Sequence, residues 1–441
     1  MGADSEVGCL RTVLMHRPGP EFKRITPKTM RLLEFGAVPW AARAQQEHDI
    51  LAAVLRDRHI DVVYLSGLLR DVLEYSAARD EAIASVLVSC ELGDELAGTV
   101  HSFLDSLSPG DLAAALIAGL TPTELRTGRG LVYALLDPHD FIVEPLPKLV
   151  YTKDASSWVG DQVVLGGLAG RRQRESDLLA VIYGHHPAFA GLPRPYRAGC
   201  ARLDGGDVLL LGPGVVAIGA SRRTSPASVE SLARHLLGTG AAQSVLAVPL
   251  DQPELDGPLD TVCTVLDPGV VLMAPALAFT LTALTITITI RSGGLDVSRP
   301  MPFVEAAARA LRIEALQVIP TGLDAGRDGW PGRAGQAGQW DDGGNALALG
   351  GRLIVSDERN GATNARLSDA GFDVVTVPCG ELAGIRGGPR SMCAALRRDS
   401  LAVPEAKESS GKATPESDRT AAPSPAGAEQ PAGVPALELA S

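Results

Sequence analysis

Thr280 to Ile290 reads T-L-T-A-L-T-I-T-I-T-I. It lies inside a run from Pro268 to Ile290 that holds no charged residue, and a run of that length could cross a bilayer. The two readings lead to different proteins. Threonine alternates with larger apolar residues at period two through most of the stretch, so hydroxyls collect on one face and aliphatic groups on the other. β-branched residues favour extended backbone, and Pro275 breaks any helix upstream. The pattern predicts a half-buried strand rather than a membrane helix.

Working outward, similar short apolar runs recur at Leu10–Met15, Asp61–Leu65, Val163–Leu165, Val208–Leu211, Val215–Ile218, Val270–Leu272, Leu353–Val355 and Val374–Val377. Helical patterns lie between them, including Ala41–Arg56, Glu175–Tyr183, Ser228–Leu237 and Phe303–Leu311. Such alternation predicts an α/β fold. Residues 69–125 differ, being almost wholly helix-forming, with cap-like punctuation at Ser106, Ser108 and Thr121-Pro122. They read as an inserted helical module. Ala325–Gln339 is Gly-rich and reads as a loop; 404–441 is Ala/Pro/Ser/Glu-rich without aromatics and reads as a disordered tail. No internal repeat, GxGxxG or P-loop stands out.

Composition narrows the function classes. The 441 residues suffice for a large core, and a formal net charge of -12 argues against a nucleic-acid surface. Six cysteines (Cys9, Cys90, Cys200, Cys263, Cys379, Cys393) lack C-x-x-C spacing, which removes a zinc site or disulfide framework from the expectation. M-G-A-D-S-E-V at the start has neither a basic nor an apolar leader region, so a reducing cytoplasm is the expected compartment.

Four stretches carry the chemistry: Y-T-K-D at Tyr151–Asp154, D-G-G-D at Asp204–Asp207, P-L-D-T at Pro258–Thr261 and R-G-G-P-R-S-M-C at Arg386–Cys393. Each residue has a plain structural reading beside a functional one. Asp154 and Asp260 suit turns or caps, Arg172 and Arg223 suit surface ion pairs, and the Gly pair suits a tight turn. His185 and His186 before Pro187 suit a helix C-terminus, not a metal site. The cysteines suit small core positions.

Taken in order along the chain, these stretches resemble the arginine deiminase family. Supporting segments include H-R-P-G at His16–Gly19, Q-E-H-D at Gln46–Asp49, P-L-P-K-L at Pro145–Leu149, R-R-Q-R-E at Arg171–Glu175, A-I-G-A-S-R-R-T at Ala217–Thr224 and W-D-D-G-G-N at Trp340–Asn345. The resemblance spans most of Ser5 to Arg398. It implies a five-bladed α/β propeller, the pentein fold, over residues 1–403, with the helical module inserted. It also implies hydrolysis of L-arginine to citrulline and ammonia, with no cofactor and no metal.

Guanidinium is planar and strongly basic, so a site must grip it with carboxylates, attack its central carbon and move protons. By resemblance the gripping carboxylates are Asp154 and Asp260. The arginines around the substrate's carboxylate and the catalytic loop are Arg172, Arg223 and Arg386. The departures fall on catalysis. Ser391 stands at the family's Cys nucleophile, and Pro258 at its His. Asp204 replaces a Glu, setting the carboxylate back by about 1.5 Å, a misplacement that can cost about 100-fold in rate. Lys148 replaces an Asn near the substrate head group, and Lys153 an Arg.

Two readings follow. In the first, the chain is a degenerate homologue that binds L-arginine or a related guanidino compound without turning it over. It would then act in binding, regulation or assembly, as a homo-oligomer or with an active paralogue. In the second, it is a working arginine deiminase that uses Cys393 or a displaced serine mechanism. Cys393 lies two residues beyond Ser391, on the same face if the segment is extended and roughly 6–7 Å away.

Overall fold

A computed structural model describes residues 1–168, 170–199, 201–250, 257–289, 293–321, 344–383 and 387–401. The stretch that opened the sequence reading is a strand, Thr282–Ile288, paired on both sides with Ser244–Pro249 and Leu295–Val297. Ala283 and Ile286 are buried while Thr282 is exposed. Among the described residues no helix is long and apolar enough to cross a membrane. Pro275 does not simply break helix: it is the first residue of a short helix, Pro275–Thr280, where a missing N–H costs nothing.

The same unit recurs five times: a hairpin, a crossover helix, and a strand parallel to the hairpin's second strand. Ser156–Val159, Gln162–Leu165 and Tyr196–Arg197 form one such sheet, crossed by the helix Gln173–His185. Val208–Gly212, Val215–Ala220 and Ser244–Pro249 form the next, with the helix Pro226–Thr239. Cys263–Asp267, Val270–Met273 and Gln317–Pro320 follow, with Phe303–Leu311. Leu347–Gly350, Leu353–Asp357 and Asp373–Val377 are the fourth, with Gly361–Asp369. The fifth joins the two ends of the folded region. Ala394–Arg398 runs antiparallel to Leu10–Met15, which is parallel to Asp61–Tyr64 beyond the helix Ala41–Arg56. The internal repetition that sequence does not display is therefore structural.

Local signals explain where the helices begin and end. Ser225 caps Pro226–Thr239 by accepting from the Ser228 N–H at 3.2 Å, and Gly240 closes it at φ 78°. The inserted helical block runs from Leu65 to Leu135, longer at both ends than 69–125. Ser108 and Thr121 are caps as expected, the latter with a full capping box to Glu124. Ser106 instead ends a helix, and its hydroxyl donates back to the Phe103 carbonyl. The block shares a continuous core with the first sheet, where Leu69, Val72 and Leu116 join Trp158, Val163 and Leu179. The loop 325–339 and the tail 404–441 lie outside the described residues.

Candidate functional site

Every unit's first strand is preceded by a tight turn, and these turns meet. Thr152–Ala155 precedes Ser156, Gly205–Asp207 precedes Val208, and Leu259–Val262 precedes Cys263. Gly344–Ala346 precedes Leu347, and the turn from Pro389 leads to Ala394. The Lys153 N–H donates to the Ser391 carbonyl at 3.2 Å. Lys153 Nζ donates to the carbonyls of Gly205 and Val208, both at 3.2 Å. A methyl group on Gly205 would stand 2.1 Å from the Lys153 carbonyl. One on Gly206 would meet Pro258 at 2.9 Å and Asp260 at 3.0 Å. The D-G-G-D glycines are thus required by close approach between turns.

This geometry gathers carboxylates. Asp154, Asp204, Asp207 and Asp260 are all buried. Burial pushes the Asp154 carboxyl up to about 7, Asp204 adds to the rise, and Arg172 and Arg223 only partly offset it. Asp207 is likewise held at about 7 by burial and Asp204, although Thr224, Ser221 and the Leu259 N–H all bond to it. Asp204 caps its own turn through the Gly206 N–H at 2.9 Å and accepts from Arg223 Nη1 at 3.3 Å. Arg172 spans Asp154, at 3.2 Å, and Glu175, at 3.0 Å.

Asp260 differs from its neighbours. Arg390 Nη1 lies 3.2 Å and Lys153 Nζ 3.8 Å from its Oδ2, close enough for charge pairing. Among the described residues neither carboxylate oxygen receives a hydrogen bond, although Asp260 is 1% exposed. Burial holds its carboxyl above the usual range against those two cations. Behind it Arg390 also pairs with Glu6 at 3.2 Å, and Arg390, Lys153 and Arg398 outweigh burial to bring Glu6 down to about 2.

Ser391 is buried and held by Asn345. Asn345 Nδ2 donates to Ser391 Oγ at 2.7 Å, and its Oδ1 accepts from the N–H groups of Arg390 and Ser391 at 3.1 and 3.2 Å. Among the described residues no carboxylate or imidazole bonds to that hydroxyl. Pro258 is buried at the start of the Asp260 turn. Lys148 sits at the mouth with Nζ 2.8 Å from Glu34 Oε2. A shallow open cleft lies there, lined by Leu33, Glu34, Pro145–Lys148, Arg172 and Glu175.

Comparison with known proteins decides the ancestry. The family model for arginine deiminase matches residues 31–398. The chain belongs to the arginine deiminase family. An arginine deiminase of Mycobacterium marinum is 45% identical over 406 residues, covering 91% of this chain and 99% of that one. That of Mycobacterium tuberculosis H37Rv is 46% identical over 407 residues, covering 91% and 99%. That of Rhodococcus erythropolis PR4 is 44% identical, covering 91% and 98%. Among solved structures, a Pseudomonas aeruginosa dimethylarginine dimethylaminohydrolase complexed with citrulline gives a TM-score of 0.49 at 13% identity, covering 88% of this chain and 99% of that one. That likeness is too distant to carry chemistry.

Against this arginine deiminase background, the structure brings Asp154, Asp204, Asp260, Arg172, Arg223, Lys148 and Ser391 into one region. Arg386 lies outside the described residues. Cys393 is a correction. The chain before it turns, with the Met392 N–H bonding Gly388 and the Cys393 N–H bonding Arg390, so Ser391 to Cys393 is not extended. The thiol sits in a core with Val13, Met15 and Met392, and burial pushes it up to about 12. A thiol held that far above neutral supplies almost no thiolate. Sequence reasoning passed over Asn345, Glu6, Glu34, Asp207 and Arg390. Asn345 ended a quoted motif, which was a usable signal. Asp207 and Arg390 also lie inside quoted motifs, whereas Glu6 and Glu34 are single charges in otherwise ordinary stretches.

Proposed function

We propose that this arginine deiminase family member binds a guanidino amino acid, L-arginine or a near relative, and hydrolyses it poorly or not at all. The observation that carries the reading is the buried Asp260 carboxylate, which is charge-paired with Arg390 and Lys153 but, among the described residues, accepts no hydrogen bond on either oxygen. An unsatisfied buried carboxylate is costly, and a guanidinium brings paired N–H donors in a fork that matches it. Asp154, in the same cluster, is the second gripping group. Lys148, Arg172 and Arg223 offer positive charge at the mouth for the ligand's carboxylate, with Arg386 assigned to the same task by family resemblance.

On this reading the five ββαβ units are the blades of the pentein propeller, and the turns that meet between them form its ligand pocket. The catalytic pair of the family is exchanged. Ser391 Oγ is committed to Asn345 rather than to a base. A serine hydroxyl without one is a weak nucleophile. Pro258 cannot carry a proton, and general acid–base help is worth about 10²–10⁴-fold. Either loss alone cripples turnover, and the two together are not additive. The remaining role is ligand-dependent binding, regulation or assembly.

Calorimetric titration of the native chain with L-arginine tests the reading. Saturable binding with no citrulline in the recovered sample is the expected result. Absence of heat and of protection from thermal unfolding by millimolar L-arginine would overturn it.

A further inference from the structure

We infer that Glu34 is a specificity-determining residue: its carboxylate fills the place of the ligand's own carboxylate at the mouth, so a guanidino acid must displace it to bind. The inference rests on the guanidino-acid reading of the pocket and adds a competitor built into the chain.

Three observations lead there. Lys148 is only 12% exposed, and a cation that far from water needs an anion beside it. Glu34 supplies that anion at 2.8 Å. Burial raises the Glu34 carboxyl, but its bond to Lys148 and the charges of Lys148, Arg172 and Arg223 bring it below the usual range. Arg172 and Arg223 already have deep partners in Glu175, Asp154 and Asp204, each at least 90% buried. Glu34 is different, with a side chain 61% exposed. It is the displaceable carboxylate of the set.

The backbone makes the placement deliberate. Glu34 adopts φ 60°, in the left-handed region that a side chain with a Cβ rarely enters. Its neighbours Leu33 and Phe35 are buried, and Phe35 packs edge-on against Phe22. The chain is therefore pinned on both sides. The carboxylate can leave Lys148 by rotating its own torsions, without moving the loop. A ligand carboxylate arriving at Lys148 keeps that amine neutralised while Glu34 swings into water.

Such a competitor lowers apparent affinity by the fraction of molecules in which Lys148 is free. It acts on ligands with a carboxylate and not on those without one. Binding of L-arginine and of agmatine, the same guanidine carrying an amine in place of the amino acid, should be measured for native, Glu34→Gln and Glu34→Asp chains. Glu34→Gln should bind L-arginine about three- to tenfold more tightly, while agmatine is unchanged or weakened. Glu34→Asp keeps the charge but falls short of Lys148, and should tighten L-arginine part of the way. If Glu34→Asp matches native while Glu34→Gln tightens binding, the effect is one of net charge and the displacement idea fails. If neither variant alters L-arginine affinity, Glu34 is an ordinary surface ion-pair residue and the inference fails alone. If no chain binds either ligand, the pocket reading falls and this inference with it.

Discussion

Asn345 holds the Arg390–Ser391 turn with three hydrogen bonds, donating to the Ser391 hydroxyl at 2.7 Å and accepting from the N–H groups of Arg390 and Ser391. Ser391 is thus a structural member of a buried turn. Asn345→Ala would strand two buried N–H groups and a hydroxyl. Unsatisfied buried groups cost about 1–3 kcal/mol each, so the midpoint of urea unfolding should fall markedly. An unchanged midpoint would show the turn to be held by other contacts.

Asp260→Asn should separate binding from stability. Burial holds this carboxyl above its ordinary range against the pull of Arg390 and Lys153, so burying its charge costs the fold. A neutral amide of the same shape relieves that penalty, so the thermal midpoint at pH 7 should hold or rise. L-arginine affinity should fall by about 100-fold or more as the charge-assisted grip is lost. Loss of stability together with intact binding would contradict the role given to Asp260.

Affinity for the guanidinium should rise with pH. Asp154 is held at about 7 in the free chain and must ionise to grip a cation, so binding releases a proton. Below about pH 7 the affinity should drop by up to about tenfold per pH unit, and above it the curve should flatten. Titrations from pH 5.5 to 8.5 in buffers of differing ionisation heat would reveal both the slope and the proton released. A flat profile would mean that Asp154 is already charged or makes no contact.

His48 predicts the acid limb of stability. It is buried with neither ring nitrogen hydrogen-bonded among the described residues, and burial brings it down to about 3, with His16 adding to the fall. The unfolded chain, with a histidine near 6.5, binds the extra proton first. Its contribution is therefore complete above about pH 6.5 and lost progressively as pH falls toward 3. Urea unfolding at pH 5 and 7 should show a smaller pH difference for His48→Phe than for the native chain, by at most about 1.4 kcal/mol per pH unit. An identical difference would remove His48 from the acid response.

Much of this was legible beforehand, and unevenly. Period-two threonine at 280–290 separated strand from membrane span because side-chain alternation follows directly from extended backbone. Ser108 and Thr121-Pro122 marked helix starts because caps are local. The fivefold repetition was invisible because the units share backbone geometry and apolar spacing, not residue identities. The turns that gather Asp154, Asp204, Asp260, Asn345 and Ser391 are far apart in the chain, and nothing local says that they meet. Glu34 was missed for the same reason: its meaning depends on Lys148, far along the chain. Cys393 stood as the alternative nucleophile on the condition of an extended segment, and Gly388 and Arg390 instead accept turn hydrogen bonds there.

The central claim is that a guanidino-acid pocket persists while the chemistry has been exchanged. The most direct measurement is citrulline formation from L-arginine by the native chain beside a Ser391→Cys, Pro258→His double variant, with L-arginine binding recorded on both. The account predicts binding by both chains and citrulline only from the variant. Sustained citrulline formation by the native chain, insensitive to Ser391→Ala, would contradict it.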